Sequence, residues 1–408
     1  MGKSVLLISY TFPPAPGIGG RRWAKFAKYL ALKDVDVYVI SAENACAEIS
    51  AWQADTASAG INKYLIPAKY PAILSEMPRT LLQRLQYKLA LAKVKKKTKG
   101  SIYDRGALSE QDILDTASRL IEENKIDRVI CTGAPFSILY YGVLLKKKYP
   151  HIRLMGDMRD PWTWGIGYGF GQMEEKRMAY EQALEKEVME ASDLVTVPVQ
   201  PMLVHLQNSY PQHAAKMIQL SHGIDTDDIP VEQSPPAITH TVKLIYSGTI
   251  YAGVEDILDS FSILLLQQEN KFLFNIYTLS KKKALHDQFN RSPIQIHSPV
   301  PSTDLFTIIQ QHDFYVSFVT EQYKDFISTK YFEIIYLRKP ILLISPKGEL
   351  SEFILKNKLG LHFLPGELDK LLAFLNKPSG LAYNTDFKLD DVLYDRLADS
   401  VLENFINK

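Results

Sequence analysis

"SVLLISYTFPPAPGIGGRRWAKFAKYLALKDVDVYVI", residues 4–40, sets an apolar run, a glycine-rich turn, an amphipathic stretch and a second apolar run in direct succession. The runs at 4–9 and 35–40 have the length and continuous apolarity of strands buried on both faces. Between them Trp23, Phe26, Ala27 and Leu30 recur at helical spacing. Strand, turn, helix and strand in that order make the repeating unit of a parallel sheet. Gly17, Gly19 and Gly20 then fall where the free N–H groups and dipole of a helix start favour a negatively charged group.

This turn does not read as a nicotinamide site. The G-x-G-x-x-G spacing fails at Arg22, and Pro13, Pro14 and Pro16 stiffen a loop that such a site keeps short. Nor does the second strand end in an acidic residue for a ribose, because Glu43 follows only after Ser41 and Ala42.

The same alternation continues along the chain. Apolar runs at 127–132, 152–158 and 193–199 are separated by helical patterns, including 174–191 and one with Ile113, Ala117, Leu120 and Ile121 on one face. It restarts with runs at 242–248, 272–278, 314–319 and 340–345. The expected fold is α/β, with two tandem doubly wound Rossmann-like domains facing a cleft. The first spans 1–200, with a last helix at 388–408 crossing back to it, and the second spans 201–387, its connector 201–241 marked by Pro235-Pro236. Ligands of such sheets bind beyond the carboxyl ends of the strands, so the loops there are the places to look.

Composition excludes several classes. The chain has 408 residues, 46% hydrophobic and 23% charged, which is a globular composition of two or three domains. A net charge of +1 gives no reason to expect nucleic acid as a partner. Cys46 and Cys131 form neither a CxxC pair nor a Cys/His cluster, so no metal site is expected and a reducing, cytoplasmic setting is. No run approaches the ~20 apolar residues of a spanning helix, and the opening run is too short for a signal sequence.

Three loops concentrate chemistry. In "YKDFISTKYFEIIYLRKPILLISPKGEL", 323–350, Lys330 lies near a helix start, where it can neutralise phosphate, while Asp325 and Glu333 can accept hydrogen bonds from vicinal hydroxyls. In "MGDMRDPWTWGIGYGFGQ", 155–172, Asp157, Arg159 and Asp160 precede Trp162, Trp164 and Tyr168, interleaved with glycines. Aromatic faces pack on sugar C–H faces, and glycines let a loop close over a ligand. Arg159 is expected to pair with a neighbouring carboxylate. In "YSGTIYAGVEDIL", 246–258, Gly248 and Thr249 precede a helix.

The 323–350 segment resembles the retaining GT-B glycosyltransferases of the large family numbered four. Ser328, Lys330, Glu333, Lys339, Pro340 and Ile341 match its S-x-K-x-x-E-Y-x-A-x-G-K-P-I pattern. Asp325 stands for the first of its two glutamates, Ile334 for its tyrosine and Arg338 for its glycine. "SHGID", 221–225, is similar to the family's N-G-V-D stretch; its Asp225-x-Asp227 also fits the acidic motif of metal-dependent transferases but follows no apolar strand. The D-x-R-D-P-W core resembles a bacterial subset that builds surface polysaccharides. The family's Arg and Lys-Gly after Gly248 are missing, which leaves phosphate binding to Thr249, backbone N–H groups, Lys330 and Arg21 or Arg22.

The resemblance implies a nucleoside-diphosphate sugar donor, a saccharide or lipid-linked saccharide acceptor, transfer with retention, and no metal or other cofactor. Gly19, Gly20, Gly248, Thr249, Lys330, Asp325 and Glu333 would bind donor: Lys330 the diphosphate, Glu333 the ribose, Asp325 the sugar hydroxyls. Asp160, Trp162, Trp164 and Tyr168 would bind acceptor, and Asp160, Lys330 and Asp325 would be catalytic. No histidine base comes from the 131–142 loop, which has Phe136 instead. A nucleotide-sugar 2-epimerase or hydrolase and a non-catalytic scaffold of the same fold are the alternatives.

The stretch 79–99 adds a surface. Leu82, Leu85 and Leu89 form a stripe that ends in Lys93, Lys95, Lys96, Lys97 and Lys99. Such a helix either lies on an anionic membrane, here the inner face of the cell membrane, or packs its leucines on the domain.

Overall fold

The computed structural model describes residues 3–16, 18–44, 49–74, 78–98, 104–165, 170–229, 241–268, 271–279, 293–378 and 381–408. The chain divides into two compact units, Met1–Gly223 with Tyr394–Lys408, and Ile224–Leu393.

In the first unit, β1 (Lys3–Ile8), β2 (Val35–Ala42), β3 (Ile61–Ile66), β4 (Arg128–Gly133), β5 (Arg153–Met158), β6 (Leu194–Val197) and β7 (Met217–Gln219) form one sheet. Its order is β3-β2-β1-β4-β5-β6-β7 and every pairing is parallel. The order reverses between β1 and β4, so the loops leaving these strands diverge and open a crevice. The unit boundary falls after 223 and not after 200, because 201–219 supply α6 (Gln200–Ser209, starting one residue earlier) and the edge strand β7.

Both faces of this sheet are dry. On one side α1 (Arg21–Leu32) buries Trp23, Phe26, Ala27 and Leu30 against Val5, Leu7, Val37 and Val39. Over it lies α12 (Tyr394–Val401), whose Tyr394, Leu397, Ala398 and Val401 join that cluster, with the Tyr394 ring edge-on to Phe26. Each large side chain buried this way contributes roughly 1.5–3 kcal/mol. On the other side α3 (Glu110–Asn124), α4 (Ser137–Lys148) and α5 (Glu175–Ala191) cover the sheet.

The second unit repeats the plan with β8 (Val242–Ser247), β9 (Phe272–Tyr277), β10 (Ile294–His297), β11 (Phe314–Phe318), β12 (Ile341–Ile344) and β13 (Gly360–Phe363). The order is β10-β9-β8-β11-β12-β13, all parallel, with its reversal between β8 and β11. Helices α7 (Val254–Leu266), α8 (Ser302–Gln310), α9 (Thr329–Tyr336), α10 (Glu349–Lys356) and α11 (Leu368–Asn376) flank it. Lys339 of the K-P-I match is a structural lysine: its buried Nζ donates to the carbonyls of Gln310 and His312 at 2.7 and 2.8 Å, closing the end of α8.

Helix α2 (Leu81–Lys97) stands apart in character. Thr80 and Gln83 close a capping box at its start. Only Val94 on it is buried; Leu81, Leu82, Leu85 and Leu89 are 83%, 65%, 56% and 64% exposed, so they do not pack on the domain. Arg84, Lys88, Lys93, Lys95, Lys96 and Lys97 are exposed around them. Among the described residues no helix is long and apolar enough to cross a membrane.

Candidate functional site

At the reversal point of the first sheet, the glycine loop after β1 meets the loop after β4, and Arg159 joins them. Its guanidinium donates to the carbonyls of Gly19 and Ala134 and, through Nε at 3.3 Å, to Gly133. Gly19 has room for little else, since a Cβ there would lie 3.3 Å from Arg159 Nη1. Arg159 is therefore a clip between two backbone turns. Gly20 immediately precedes α1 and is buried, and no side chain caps that helix start.

The carboxylate that takes an arginine is Asp157. It is fully buried and accepts from Arg22 Nε (3.2 Å) and Nη2 (3.0 Å), Trp23 Nε1 (2.7 Å), Thr132 Oγ1 (2.9 Å) and Thr196 Oγ1 (2.8 Å). Burial alone would raise its pKa, but the charge and hydrogen bonds of Arg22, with those of Trp23 and Thr196, hold it below the usual aspartate range. Arg22 also donates to the carbonyls of Leu220 and Ser221 at 2.7 and 2.9 Å. The expectation that Arg22 shares in phosphate binding is corrected: it is buried and committed to Asp157 and these carbonyls.

One residue here escaped the sequence reading. His222, directly after the carbonyls that Arg22 holds, is within electrostatic reach of Arg22, Asp157, Arg159 and Arg21. Burial, followed by the arginine charges, pushes its pKa down to about 3, so the imidazole is neutral at physiological pH. Its sequence signal is the "SHGID" stretch, in which the histidine stands directly before a glycine. Asp225 is buried, and its Oδ1 accepts the Asp227 amide at 3.1 Å to start a short turn.

Asp160 and Trp164 are half-buried on the loop after β5. Trp164 stacks on His205 of α6 with ring centres 4.0 Å apart, and its indole N–H is buried with no partner among the described residues. Trp162 does not offer a face to a sugar. It is 0% exposed, stacked on Phe136 at 5.1 Å, with Nε1 donating to Glu181 at 2.9 Å. It packs the floor of the loop because Phe136, just before α4, gives it an aromatic partner. Tyr168 lies outside the described residues.

At the reversal point of the second sheet, Gly248 directly follows β8 with φ +148°, a conformation that favours glycine. Lys330, in the first turn of α9 after β11, reaches it: a Cβ on Gly248 would lie 3.7 Å from Lys330 Nζ. That ammonium also sits 5.8, 5.9 and 5.7 Å from the ring centres of Tyr246, Tyr315 and Tyr331, contacts that fix its position. The Tyr246 hydroxyl donates to the Thr249 carbonyl at 3.0 Å, holding the turn. Gly253, with φ +87°, then starts α7. Gly248, Thr249 and Lys330 are thus brought together: a cation, a close-approach backbone and, nearby, a helix start, the parts an anion cradle needs.

Glu333 lies one turn beyond Lys330 on α9, half-buried and close enough to Tyr315 to raise that phenol's pKa after burial has done so. Asp325 has a different occupation. Its Oδ1 accepts the Glu349 amide at 2.9 Å, capping the start of α10 and tying the loop after β11 to the loop after β12.

No protein-family model matches the chain, and no curated protein does. Solved structures resemble it over nearly its whole length. A glycosyltransferase from Rickettsia africae is 12% identical, covering 99% of this chain and 94% of its own, with a TM-score of 0.58. A UDP-GlcNAc 2-epimerase from Neisseria meningitidis, bound to UDP-GlcNAc, is 14% identical, covering 99% and 100%, with a TM-score of 0.58. The catalytic domain of starch synthase IV from Arabidopsis thaliana, bound to ADP and acarbose, is 13% identical, covering 98% and 95%, with a TM-score of 0.57. The chain has the GT-B fold of two Rossmann-like parallel sheets, which glycosyltransferases and UDP-GlcNAc 2-epimerases share.

Proposed function

We propose that this protein is a retaining, metal-independent glycosyltransferase of the family-four type. It moves a sugar from a nucleoside-diphosphate sugar to a saccharide or lipid-linked saccharide in surface polysaccharide biosynthesis. The observation that carries this reading is the seat of Lys330 Nζ over Gly248 at the reversal point of the second sheet. A fixed ammonium beside backbone N–H groups stabilises the charge of a departing diphosphate without a metal ion. Glu333, one turn away, takes the ribose diol, and Asp325 takes sugar hydroxyls with the carboxylate lone pairs its cap leaves. Asp160 orients the acceptor hydroxyl, Trp164 supports the acceptor sugar, and Gly19 and Gly20 line the ligand crevice. The exposed leucines and cations of α2 support a seat for the enzyme on the inner face of the cell membrane, beside a lipid-linked acceptor.

The test is a thermal-shift panel of nucleotide sugars, followed by turnover of the stabilising donor in excess chelator and in added magnesium. The reading expects equal turnover in both; a loss above about tenfold in chelator refutes metal independence. The 2-epimerases among structures of this fold favour a second reading. It expects donor to be isomerised or consumed with no acceptor present.

A further inference from the structure

The loop that carries Asp160 leaves β5 at Met158, and Arg159 fastens its near end. Three and four residues further on the loop is fastened to α5, through two glutamates one helical turn apart. Glu181 Oε2 accepts Trp162 Nε1 at 2.9 Å, and Glu185 Oε2 accepts the Thr163 amide at 3.0 Å. These two carboxylates are 3% and 2% exposed. Burying them is costly, and apolar side chains of similar size would pack α5 on the sheet without that cost. Apolar side chains could not accept from Trp162 or Thr163, the residues two and three places beyond Asp160. The carboxylates therefore answer to the geometry of this loop.

We propose that Glu181 and Glu185 are positioning residues, which hold Asp160 in its working orientation through Trp162 and Thr163 and touch no substrate themselves. This rests on the acceptor-side reading of Asp160.

The two glutamates differ in a way that makes the idea testable. Glu181 faces Trp162, the guanidinium of Arg177 with which it forms an ion pair, and the more distant Asp104. Arg177 in turn donates to the Thr98 carbonyl at 2.8 Å, at the end of α2. Among the described residues Glu185 faces neutral donors, the amide and hydroxyl of Thr163 and the Tyr210 hydroxyl, the last at 2.9 Å. Burial raises both carboxyls above the usual glutamate range, and for Glu185 no cation among the described residues offsets it. Protonation of Glu185 as pH falls replaces a carboxylate that only accepts by a group that must release or reverse one of its bonds. A glutamine at 185 keeps both bonds, its oxygen taking the Thr163 amide and its nitrogen donating to the Tyr210 oxygen, and has nothing to titrate.

The experiment uses the full chain labelled with 5-fluorotryptophan, with Trp162 and Trp164 assigned by single Trp→Phe variants. Fluorine spectra are recorded against pH for the parent, Glu185→Ala and Glu185→Gln, beside the rate of donor consumption. In the parent, the Trp164 signal should follow the ionisation of Glu185 above the ordinary glutamate range, and the Trp162 signal should follow it together with that of Glu181, whose carboxylate accepts the Trp162 N–H. Glu185→Gln should remove the Glu185 step from both signals while keeping the high-pH positions. Glu185→Ala should displace both signals at every pH and lower kcat at least tenfold, with donor KM within threefold and the rate restored by Gln. Signals unmoved by Glu185→Ala overturn the clamp. Signals moved with kcat unchanged overturn the positioning role. If the parent consumes no nucleotide sugar, the transferase reading fails, and the fluorine titration alone decides whether the clamp stands.

Discussion

Replacing Asp157 by asparagine should cost the first unit roughly 3–5 kcal/mol, the range for removing one partner of a buried ion pair. The structure sets that magnitude. Five donors from Arg22, Trp23, Thr132 and Thr196 converge on one carboxylate, and none of these bonds is open to solvent. An amide at 157 turns one acceptor oxygen into a donor facing donors, and leaves the buried Arg22 charge, which also donates to two backbone carbonyls, without its carboxylate. Urea unfolding followed by tryptophan fluorescence reads the loss directly, because Trp23 is one of the donors. With a slope of about 2–3 kcal/mol per molar for a unit of this size, the first-unit midpoint should fall by about 1–2 M. Arg22→Met in the same assay closes a double-mutant cycle, and the paired variant should cost less than the sum of the singles. Acid should act like the amide. The folded carboxyl is held below its unfolded value, so its contribution is complete above the usual aspartate range and fades as pH falls through the depressed folded value. A midpoint shift below about 0.3 M for Asp157→Asn would mean that the network contributes nothing net.

Three further outcomes test the proposed site and surface. Lys330→Met should weaken binding of a bare nucleoside diphosphate by about ten- to 150-fold, the worth of one charge-assisted contact, and unchanged calorimetric affinity would remove the cradle. Glu333→Ala should weaken the bare diphosphate over the same range, whereas Asp325→Asn, which keeps the Oδ1 cap on Glu349, should weaken only the nucleotide sugar; equal losses on both ligands would refute the separate roles. Lys95, Lys96 and Lys97 changed together to glutamine should reduce binding to anionic vesicles by roughly 3 kcal/mol at low salt, and parent-like sedimentation would dismiss the membrane.

The sequence by itself determined the fold class and the order of most elements. Apolar runs and helical spacing are local properties, fixed by the need to bury both faces of a parallel strand and one face of a helix. Thus Trp23, Phe26 and Leu30 were legible as core before any partner was known, and all are buried. The strands it passed over, β3, β7, β10 and β13, lie at or beside sheet edges, where "INKYLI" and "GLHF" are half-buried and no continuous apolar run is required. The Lys330–Gly248 contact was half legible, since each residue marked a strand-end loop, but the strand order decided that these two loops are neighbours. Polar partnerships were not legible at all. Asp157 meets Trp23 and Arg22 across 134 and 135 residues, and Arg22 meets Leu220 across 198. Nothing in "MGDMRD" says which of its carboxylates an arginine takes until the fold chooses the donors. Trp162 looked like a sugar platform among glycines until Phe136 and Glu181 claimed its ring and its N–H. Burial and hydrogen-bond choice depend on which distant segments the topology brings together, and that is settled only when the whole sheet has closed its layers.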